Sequence, residues 1–117
     1  MRNTLYVKMM PYLEEEERLL ERMAGHLDLW EECVRIFSKE EIVEKMDKAL
    51  EEKDFQAFQA YVHRLKGSLA NFGFERAARK ATEILRMIEE KDTEQILCQY
   101  GNLREEYVQI IERIKEA

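Results

Sequence analysis

The chain has 117 residues, of which 45 % are hydrophobic and 38 % are charged, and its net charge is −6. This length suits one domain with a single core and excludes two separately folded domains. One proline and four glycines are too few for the frequent turns of a strand-rich domain. The acidic balance argues against a basic surface for nucleic acid, so we expect a helical protein with no nucleic-acid partner.

Neither the cysteines nor the N-terminal residues indicate secretion or a membrane. Cys33 and Cys98 form no C-x-x-C pair and are too few for a disulfide framework, which favours a reducing compartment. The N-terminal segment MRNTLYVKMM holds no apolar run long enough for a signal-peptide core or a membrane span. The predicted protein is therefore soluble and cytoplasmic.

In chain order, the first two predicted helices are short. One is expected over residues 11–23, opened by Pro11 and ended near Gly25. The next is predicted to start with Asp28 as its N-cap and Glu31 three residues later. Its buried face is predicted to comprise Trp30, Cys33, Val34 and Phe37. A cysteine on that face would be a small core residue rather than a reactive thiol.

The four longest predicted helices begin near Lys39, Phe55, Phe74 and Thr93. A capping box of Ser38 and Glu41 is expected to open the first of them. Asp54 is expected to cap the second, which should run about 17 residues and stop near Gly73. The apolar stripe of this second helix consists of Phe55, Phe58, Val62, Leu65, Leu69 and Phe72.

These elements predict an all-α fold. Because the connections between the long helices are short, neighbouring helices must run antiparallel. We therefore predict an antiparallel up-and-down four-helix bundle over residues 39–115, with additional N-terminal helical segments in residues 1–37 covering one end or flank. No repeat, low-complexity segment or linker interrupts the chain, so residues 1–117 are predicted to form a single domain.

One residue of the second long helix is unfavourable for the stability of that helix. Gly67 lies well inside the helix, where glycine costs about 1 kcal/mol relative to alanine. His63 lies about 100° from the centre of the apolar stripe, with Lys66 three residues later. Gln59 and Ala70 share the same partly exposed face. This arrangement suits an imidazole that is modified by an anion, since the lysine offsets negative charge and the glycine leaves room for a bulky partner.

Two plain interpretations compete with this one. A surface histidine beside a lysine is often only a solvated pair, and a glycine inside a helix can simply allow a neighbouring helix to pack closely. Spacing and charge do not decide among these interpretations.

A motif supports the functional interpretation. The run His63-Arg64-Leu65-Lys66-Gly67, followed after five residues by Gly73, resembles the signature H-x-L-K-G of histidine-containing phosphotransfer (HPt) domains. Every fixed position of that signature is met. The resemblance extends from residue 49 to about residue 90, and the expected number of helices suits the remainder.

The resemblance implies a phosphorelay intermediate of a two-component signal-transduction system. His63 would accept a phosphoryl group from the aspartyl phosphate of a receiver domain or from a sensor histidine kinase, and pass it to a response-regulator aspartate. Lys66 would stabilise the phosphoryl group, while Gly67, with Gln59 and Ala70, would lie at the docking surface. Gly73 would be structural.

The resemblance also implies what the chain lacks. As a phosphoryl carrier it would not be an enzyme with its own ATP-binding kinase domain. We expect it to bind no metal and no organic cofactor, with Mg²⁺ on the partner receiver domain only. The predicted state is a monomer, and Met1 with a completed last helix favours a free-standing protein.

One position departs from the family pattern. HPt domains often carry Gln or Glu about 22 residues after the histidine, where it orients the imidazole, and here that position is Leu85. Glu83 and Gln59 are the other candidate partners of His63, and the sequence leaves the choice open.

Other function classes fit less well. A histidine kinase would need an acidic residue after His63 and a Gly-rich ATP-binding segment, and a di-iron bundle would need Glu-x-x-His pairs; neither pattern occurs. His26 and Cys33 alone make no closed metal site. Two alternatives stay open: a helical interaction module that carries no phosphate, and a phosphotransfer domain excised from a larger kinase.

Overall fold

The computed structural model describes residues 4–116, and these residues form helices and turns with no strand. The seven α-helices of this part are α1 (Thr4–Met9), α2 (Glu16–Met23), α3 (Leu27–Phe37), α4 (Ile42–Glu51), α5 (Phe55–Phe72), α6 (Glu75–Glu90) and α7 (Thr93–Glu116), with a 3₁₀ turn at Met10–Tyr12. The all-α class predicted from the sequence is confirmed. None of the described helices has both the length and the apolar character needed to cross a membrane.

All seven helices contribute to one continuous core. The contributing side chains include one fully buried residue from each α-helix, namely Leu5, Leu19, Trp30, Met46, Phe58, Ile84 and Leu103. Burying apolar side chains of this size is the main source of stability for such a fold. The single domain of residues 1–117 stays a prediction, and its residues 1–3 and 117 lie outside the described part.

The long helices pack in chain order. α5 contacts both α4 and α6, and α6 contacts α7. Arg76, at the start of α6, donates to the Glu106 carboxylate in the second half of α7. Glu83, further along α6, lines one groove with Gln99, which lies nearer the start of α7. α6 and α7 are therefore antiparallel, as the short connection between them requires.

The N-terminal helices cover the end of α5 that lies beyond His63. The Trp30 indole Nε1 in α3 donates to the Phe72 carbonyl at 3.1 Å. The Glu14 backbone N–H donates to the Gly73 carbonyl at 3.1 Å, and Arg79 donates twice to the Glu14 carboxylate at 2.8 Å. These bonds fix the N-terminal segment on the end of α5 and on α6, and leave the middle of α5 uncovered.

The first predicted helix is shorter than expected. α2 begins at Glu16, whereas Pro11 lies in the preceding 3₁₀ turn. Leu13 is extended and Glu15 has a φ of 52°, so the backbone between them cannot continue a helix. α1 escaped the sequence analysis because it has only six residues, three of them buried.

The predictions for α3 need two corrections. The helix begins at Leu27 with His26 at the N-cap position, so Asp28 lies inside the first turn, where its charge favours the helix dipole. Cys33 is exposed rather than part of the core. The buried residues are Trp30, Val34 and Phe37, and Cys33 lies about 100° round the helix from Val34.

The predicted capping box before α4 is also wrong. α4 begins at Ile42, and no side chain caps it. Ser38 is buried, and its hydroxyl donates to the Arg35 carbonyl at 2.7 Å. The serine therefore closes α3 instead of opening α4. As a result α4 has 10 residues and α3 has 11, so the last four helices are not the four longest.

The boundaries of α5 and the start of α7 agree with the sequence analysis. The Asp54 carboxylate accepts a hydrogen bond from the Ala57 backbone N–H at 3.1 Å. α5 ends at Phe72, and Gly73 follows it with a φ of 90°, which favours glycine. The Asp92 carboxylate accepts from the Gln95 backbone N–H at 3.3 Å at the beginning of α7.

Candidate functional site

His63 lies in the middle of α5 and faces solvent. Val62 and Leu65 are buried on either side of it in sequence, while the His63 side chain itself is exposed. Within residues 4–116 its imidazole takes part in no hydrogen bond or ion pair. Since the helix axis is fixed by its buried stripe, the imidazole projects away from the core and can be reached by another protein.

Lys66 follows His63 by about one turn on the same face. Its side chain is partly buried, and its ammonium group makes no ion pair with any carboxylate of the described residues. The neighbouring Arg64, by contrast, is paired with the Glu40 carboxylate at 3.1 Å. Lys66 is thus a cation whose charge remains free to interact with an anion on His63.

The space around Gly67 decides one question that the sequence left open. A Cβ atom built on Gly67 would meet no heavy atom within 4 Å. A glycine that allowed close helix packing would instead have a neighbouring helix at that distance. Gly67 therefore leaves a patch of helix surface open and does not serve a contact with another helix. This patch lies one residue after Lys66 and four residues after His63.

The remaining predicted residues of this face lie on both sides of His63. Gln59 is exposed one turn before it, and Ala70 is half-buried two turns after it. Arg22 of α2 closes the far end of the face, because its guanidinium donates to the Ala70 and Asn71 carbonyls at 3.2 and 3.4 Å. Sequence reasoning missed Arg22, since nothing in its local pattern points to a partner 48 residues away.

A family comparison agrees with this geometry. A family model described as Hpt domain matches residues 11–117, nearly the whole chain. The chain belongs to the Hpt domain family. Hpt domains are helical bundles that carry phosphoryl groups in two-component systems, where they interact with receiver domains and kinases and are not themselves kinase domains.

No curated protein and no solved structure gives a significant match to the chain. The match to the Hpt family begins at Pro11, so α1 lies before it. Helix α1 nevertheless belongs to the core of this Hpt domain, since Leu5 and Met9 are fully buried and the Tyr6 ring lies edge-on to Trp30 at 5.6 Å.

The three residues considered as partners that orient the His63 imidazole lie in different environments. Leu85 is half-buried against the core and has no polar atom in its side chain. Glu83 is held by the Arg86 guanidinium at 2.8 Å. Gln59 is exposed on the His63 face and forms no hydrogen bond with the imidazole. Among residues 4–116, none of these three side chains therefore forms a hydrogen bond with the His63 imidazole.

No cluster of metal-ligating side chains occurs within the described part of the chain. Across residues 4–116 no three His, Cys, Asp or Glu side chains converge as a metal site would require. His26 and Cys33 are both exposed. His26 is the residue directly before α3, and Cys33 lies in the second half of that helix. What the His63 face offers chemically is one accessible imidazole, one unpaired cation and open space.

Proposed function

We propose that this protein is a phosphorelay carrier in which His63 accepts a phosphoryl group and passes it to a response-regulator aspartate. The donor is the aspartyl phosphate of a receiver domain or a sensor histidine kinase. The observation that carries the proposal is the exposed His63 imidazole on an uncovered helix face with Lys66 unpaired beside it. Membership of the Hpt family supports it.

The proposed step is a displacement at phosphorus. The unprotonated imidazole nitrogen of His63 attacks, its bond to phosphorus forms, and the bond from phosphorus to the aspartate oxygen breaks, so that the carboxylate leaves. The remaining ring proton stays on the imidazole or passes to solvent. Lys66 offsets the negative charge of the phosphoryl oxygens, and Gly67 lets the receiver approach the helix. Mg²⁺ is assigned to the receiver's own site.

The reverse step transfers the phosphoryl group onward. A phosphoryl–imidazole bond is a good donor because protonation of the other ring nitrogen lets the ring leave as neutral imidazole when the N–P bond breaks. We propose that the protein acts as a monomer in the cytoplasm. Its two cysteines are free, which fits a reducing compartment.

The experiment is transfer of ³²P from phosphorylated receiver domains of the same genome, and from their kinases. We expect a label that is lost in acid and stable in base, as phosphohistidine is. His63→Gln should abolish the label while leaving the far-UV circular dichroism unchanged, because the side chain is exposed. His26→Gln is the matched control, since it removes the other exposed histidine and should keep the label.

Two results would contradict the proposal. Labelling of His63→Gln at the wild-type level would place the phosphoryl group on another residue. Failure of every receiver and kinase to label the wild-type protein, with binding to a receiver retained, would favour an interaction module that carries no phosphate.

A further inference from the structure

Two large apolar side chains of α3 lie on the surface of the protein. Among residues 4–116, Ile36 is 59 % exposed and Leu29 is 57 % exposed, more than any other large hydrophobic side chain. They are seven residues apart and so lie within about 20° of each other round the helix axis, with the exposed Cys33 between them. We name these three residues the α3 stripe. Exposed apolar residues that lie together, unlike scattered ones, mark a surface that another molecule can cover.

The α3 stripe lies on the flank of α3 that is turned toward α5. The other flank, across the buried face of the helix, is directed at α7, because the Arg35 guanidinium there donates to the Ile114 carbonyl at 3.5 Å. α3 packs against both α5 and α7. The flank away from α7 is therefore the flank beside α5.

α3 and the turn after it run antiparallel to the second half of α5. The Trp30 indole donates to the Phe72 carbonyl at 3.1 Å, and the Glu40 carboxylate pairs with Arg64, eight residues earlier in α5, at 3.1 Å. Ile36 lies between these two contacts, six residues after the first and four before the second. By proportion, Ile36 lies beside the turn of α5 about three residues beyond Arg64.

Gly67 occupies that turn of α5 and lies between His63 and the α3 stripe. Successive helix residues are about 100° apart, so Gly67 is about 40° from His63 and about 60° from Arg64 on its other side. Arg64 marks the side of α5 toward α3, since it pairs with Glu40. A Cβ atom on Gly67 would meet nothing within 4 Å. The surface is therefore low between the imidazole and the α3 stripe, and one flat partner surface can contact both.

We propose that the receiver domain that exchanges a phosphoryl group with His63 also contacts the α3 stripe, through an apolar patch of its own. This inference rests on the proposed function. Hpt domains interact with receiver domains, and a receiver that reaches His63 must pass over Gly67. Docking removes Leu29 and Ile36 from water and so supplies affinity for the partner, whereas the phosphoryl chemistry stays at His63.

The size of the surface favours a receiver over a second copy of the chain. Packed helix axes lie about 8–10 Å apart, so a footprint of about 800 Å², typical of one side of a specific complex, covers both the His63 face and the α3 stripe. α3 itself has 11 residues and is only about 16 Å long. A symmetric pair of such stripes buries too little apolar surface for a stable dimer.

The test is phosphotransfer at varied receiver concentration. The probe is the ³²P-labelled receiver domain of the same genome that labels the wild-type protein fastest. Leu29→Ser and Ile36→Ser should each raise the receiver concentration that gives half the maximal transfer rate by about fivefold or more, and lower the maximal rate less than twofold. Leu97→Ser is the matched control, because Leu97 is 55 % exposed on α7, outside the α3 stripe, and should leave that concentration unchanged.

Two further measurements separate docking from folding and from phosphoryl transfer. All three serine variants replace an exposed side chain in a helix, so their urea denaturation midpoints should shift alike. The ¹⁵N-labelled His63→Gln protein, titrated with the same receiver in its unphosphorylated form, should show backbone amide shifts in residues 29–36 as well as in residues 63–70. Adding Ile36→Ser to this protein should weaken binding about fivefold or more.

Failure of this inference and failure of the proposed function give different results. If the wild-type protein is labelled and both stripe variants behave as Leu97→Ser does, the receiver does not touch the α3 stripe, although the relay function stands. Amide shifts confined to residues 63–70 lead to the same conclusion. A wild-type dimer in sedimentation that Ile36→Ser dissociates would assign the stripe to a second copy instead. If no receiver labels or binds the wild-type protein, the proposed function fails and this inference fails with it.

Discussion

At the scale of single residues, the position of a side chain around α5 separates packing from chemistry. Val62 and Leu65 are buried and hold the helix against its neighbours, whereas His63 between them is exposed. Lys66 lies at the boundary, partly buried and without an ion pair in residues 4–116. A side chain placed there can change the chemistry of the histidine at little cost to the core.

The first prediction concerns Lys66→Ala. Alanine is at least as good a helix former as lysine, so the free energy of unfolding should change by less than about 0.5 kcal/mol. Loss of the cation should destabilise the phosphorylated form by about 1 kcal/mol, which is about fivefold in the transfer rate or in the lifetime of phosphohistidine. Single-turnover transfer from a labelled receiver measures the transfer rate, and the decay of the label measures the lifetime of phosphohistidine.

Lys45→Ala is the matched control for this substitution. Lys45 is an exposed lysine of α4 that forms no ion pair within the described residues. Its removal should leave transfer unchanged. Equal kinetics for wild type and Lys66→Ala would refute the assigned role of Lys66.

At the scale of elements, α5 and α7 each contain one exposed glycine in the helix interior. Gly67 and Gly101 are alike in that a Cβ atom on either would meet nothing within 4 Å. Both therefore weaken their helix with no packing gained in return. They differ only in what lies beside them, since Gly67 is next to Lys66 and His63.

The second prediction uses this pair. Gly67→Gln and Gly101→Gln should each raise the free energy of unfolding by about 0.5–1 kcal/mol, from helix propensity alone. Only Gly67→Gln should slow phosphotransfer, by about tenfold or more, because its side chain would occupy the surface that the receiver must approach. Urea denaturation and the transfer assay are the two measurements. Equal transfer by both variants would mean that Gly67 keeps no space for a partner.

A cluster of polar side chains joins α4 to α7. The Arg104 guanidinium donates to the Asp47 carboxylate at 2.9 and 3.1 Å, and the Tyr100 hydroxyl donates to the same carboxylate. Burial alone would raise the pKa of Asp47, but these hydrogen bonds and the charge of Arg104 together lower it below its ordinary value. A carboxylate whose pKa is lowered on folding stabilises the folded state in its charged form.

The third prediction follows from this lowered pKa. The contribution of Asp47 should be complete above about pH 5 and should be lost as the pH falls below about 4, through the pKa of the folded protein. Asp47→Asn should therefore reduce the free energy of unfolding at pH 7 by about 0.5–1 kcal/mol, a modest loss because the group is partly exposed to solvent. Near pH 2 the variant and wild type should be equally stable.

Urea denaturation at several pH values measures the Asp47 contribution, and a double-mutant cycle with Arg104→Gln isolates the interaction. In the Arg104→Gln background the effect of Asp47→Asn should be smaller. A difference between Asp47→Asn and wild type that persists unchanged to pH 2 would contradict the ionic origin of the contribution.

At the scale of the whole molecule, one core joins the N-terminal helices to the long ones. Trp30, the single tryptophan of the sequence, is 1 % exposed and connects α3 to the end of α5. The centroid of the Phe37 ring lies 5.3 Å from that of Phe72 and 5.7 Å from that of Tyr107. Separate unfolding of the N-terminal helices would expose these rings to water.

The fourth prediction is that the molecule unfolds in one step. Trp30 fluorescence reports the docking of α3, while circular dichroism at 222 nm reports mainly the longer helices. The two urea transitions should coincide within error, as in a two-state domain. An earlier fluorescence transition would show that the N-terminal helices detach while the long helices remain folded.

Much of this fold follows from local signals. The caps at Asp54 and Asp92 and the glycine at Gly73 mark helix ends because each acts on backbone groups within a few residues. The shared face of His63, Lys66 and Gly67 is fixed by helical periodicity alone. These features could be predicted from the sequence.

The errors arose where distant residues decide the outcome. Ser38 carries the signal of an N-cap, yet its hydroxyl bonds to Arg35 because the chain turns there to pack α3 on the core. The buried carboxylate of Glu106 is held by Arg76 and Lys80 of α6 at 3.2 and 2.7 Å. Its partners are at least 26 residues away, so periodicity in α7 cannot reveal that a charged residue is buried.

The sequence by itself determined the all-α class, most helix positions and the residues that share a face with His63, because these depend on interactions within about one helical turn. Only the tertiary structure decided that Gly67 opens to solvent, that Cys33 is exposed, and that α3 lies beside the second half of α5. Each of these depends on where a second helix begins, ends or packs, and no local pattern in the first helix contains that information.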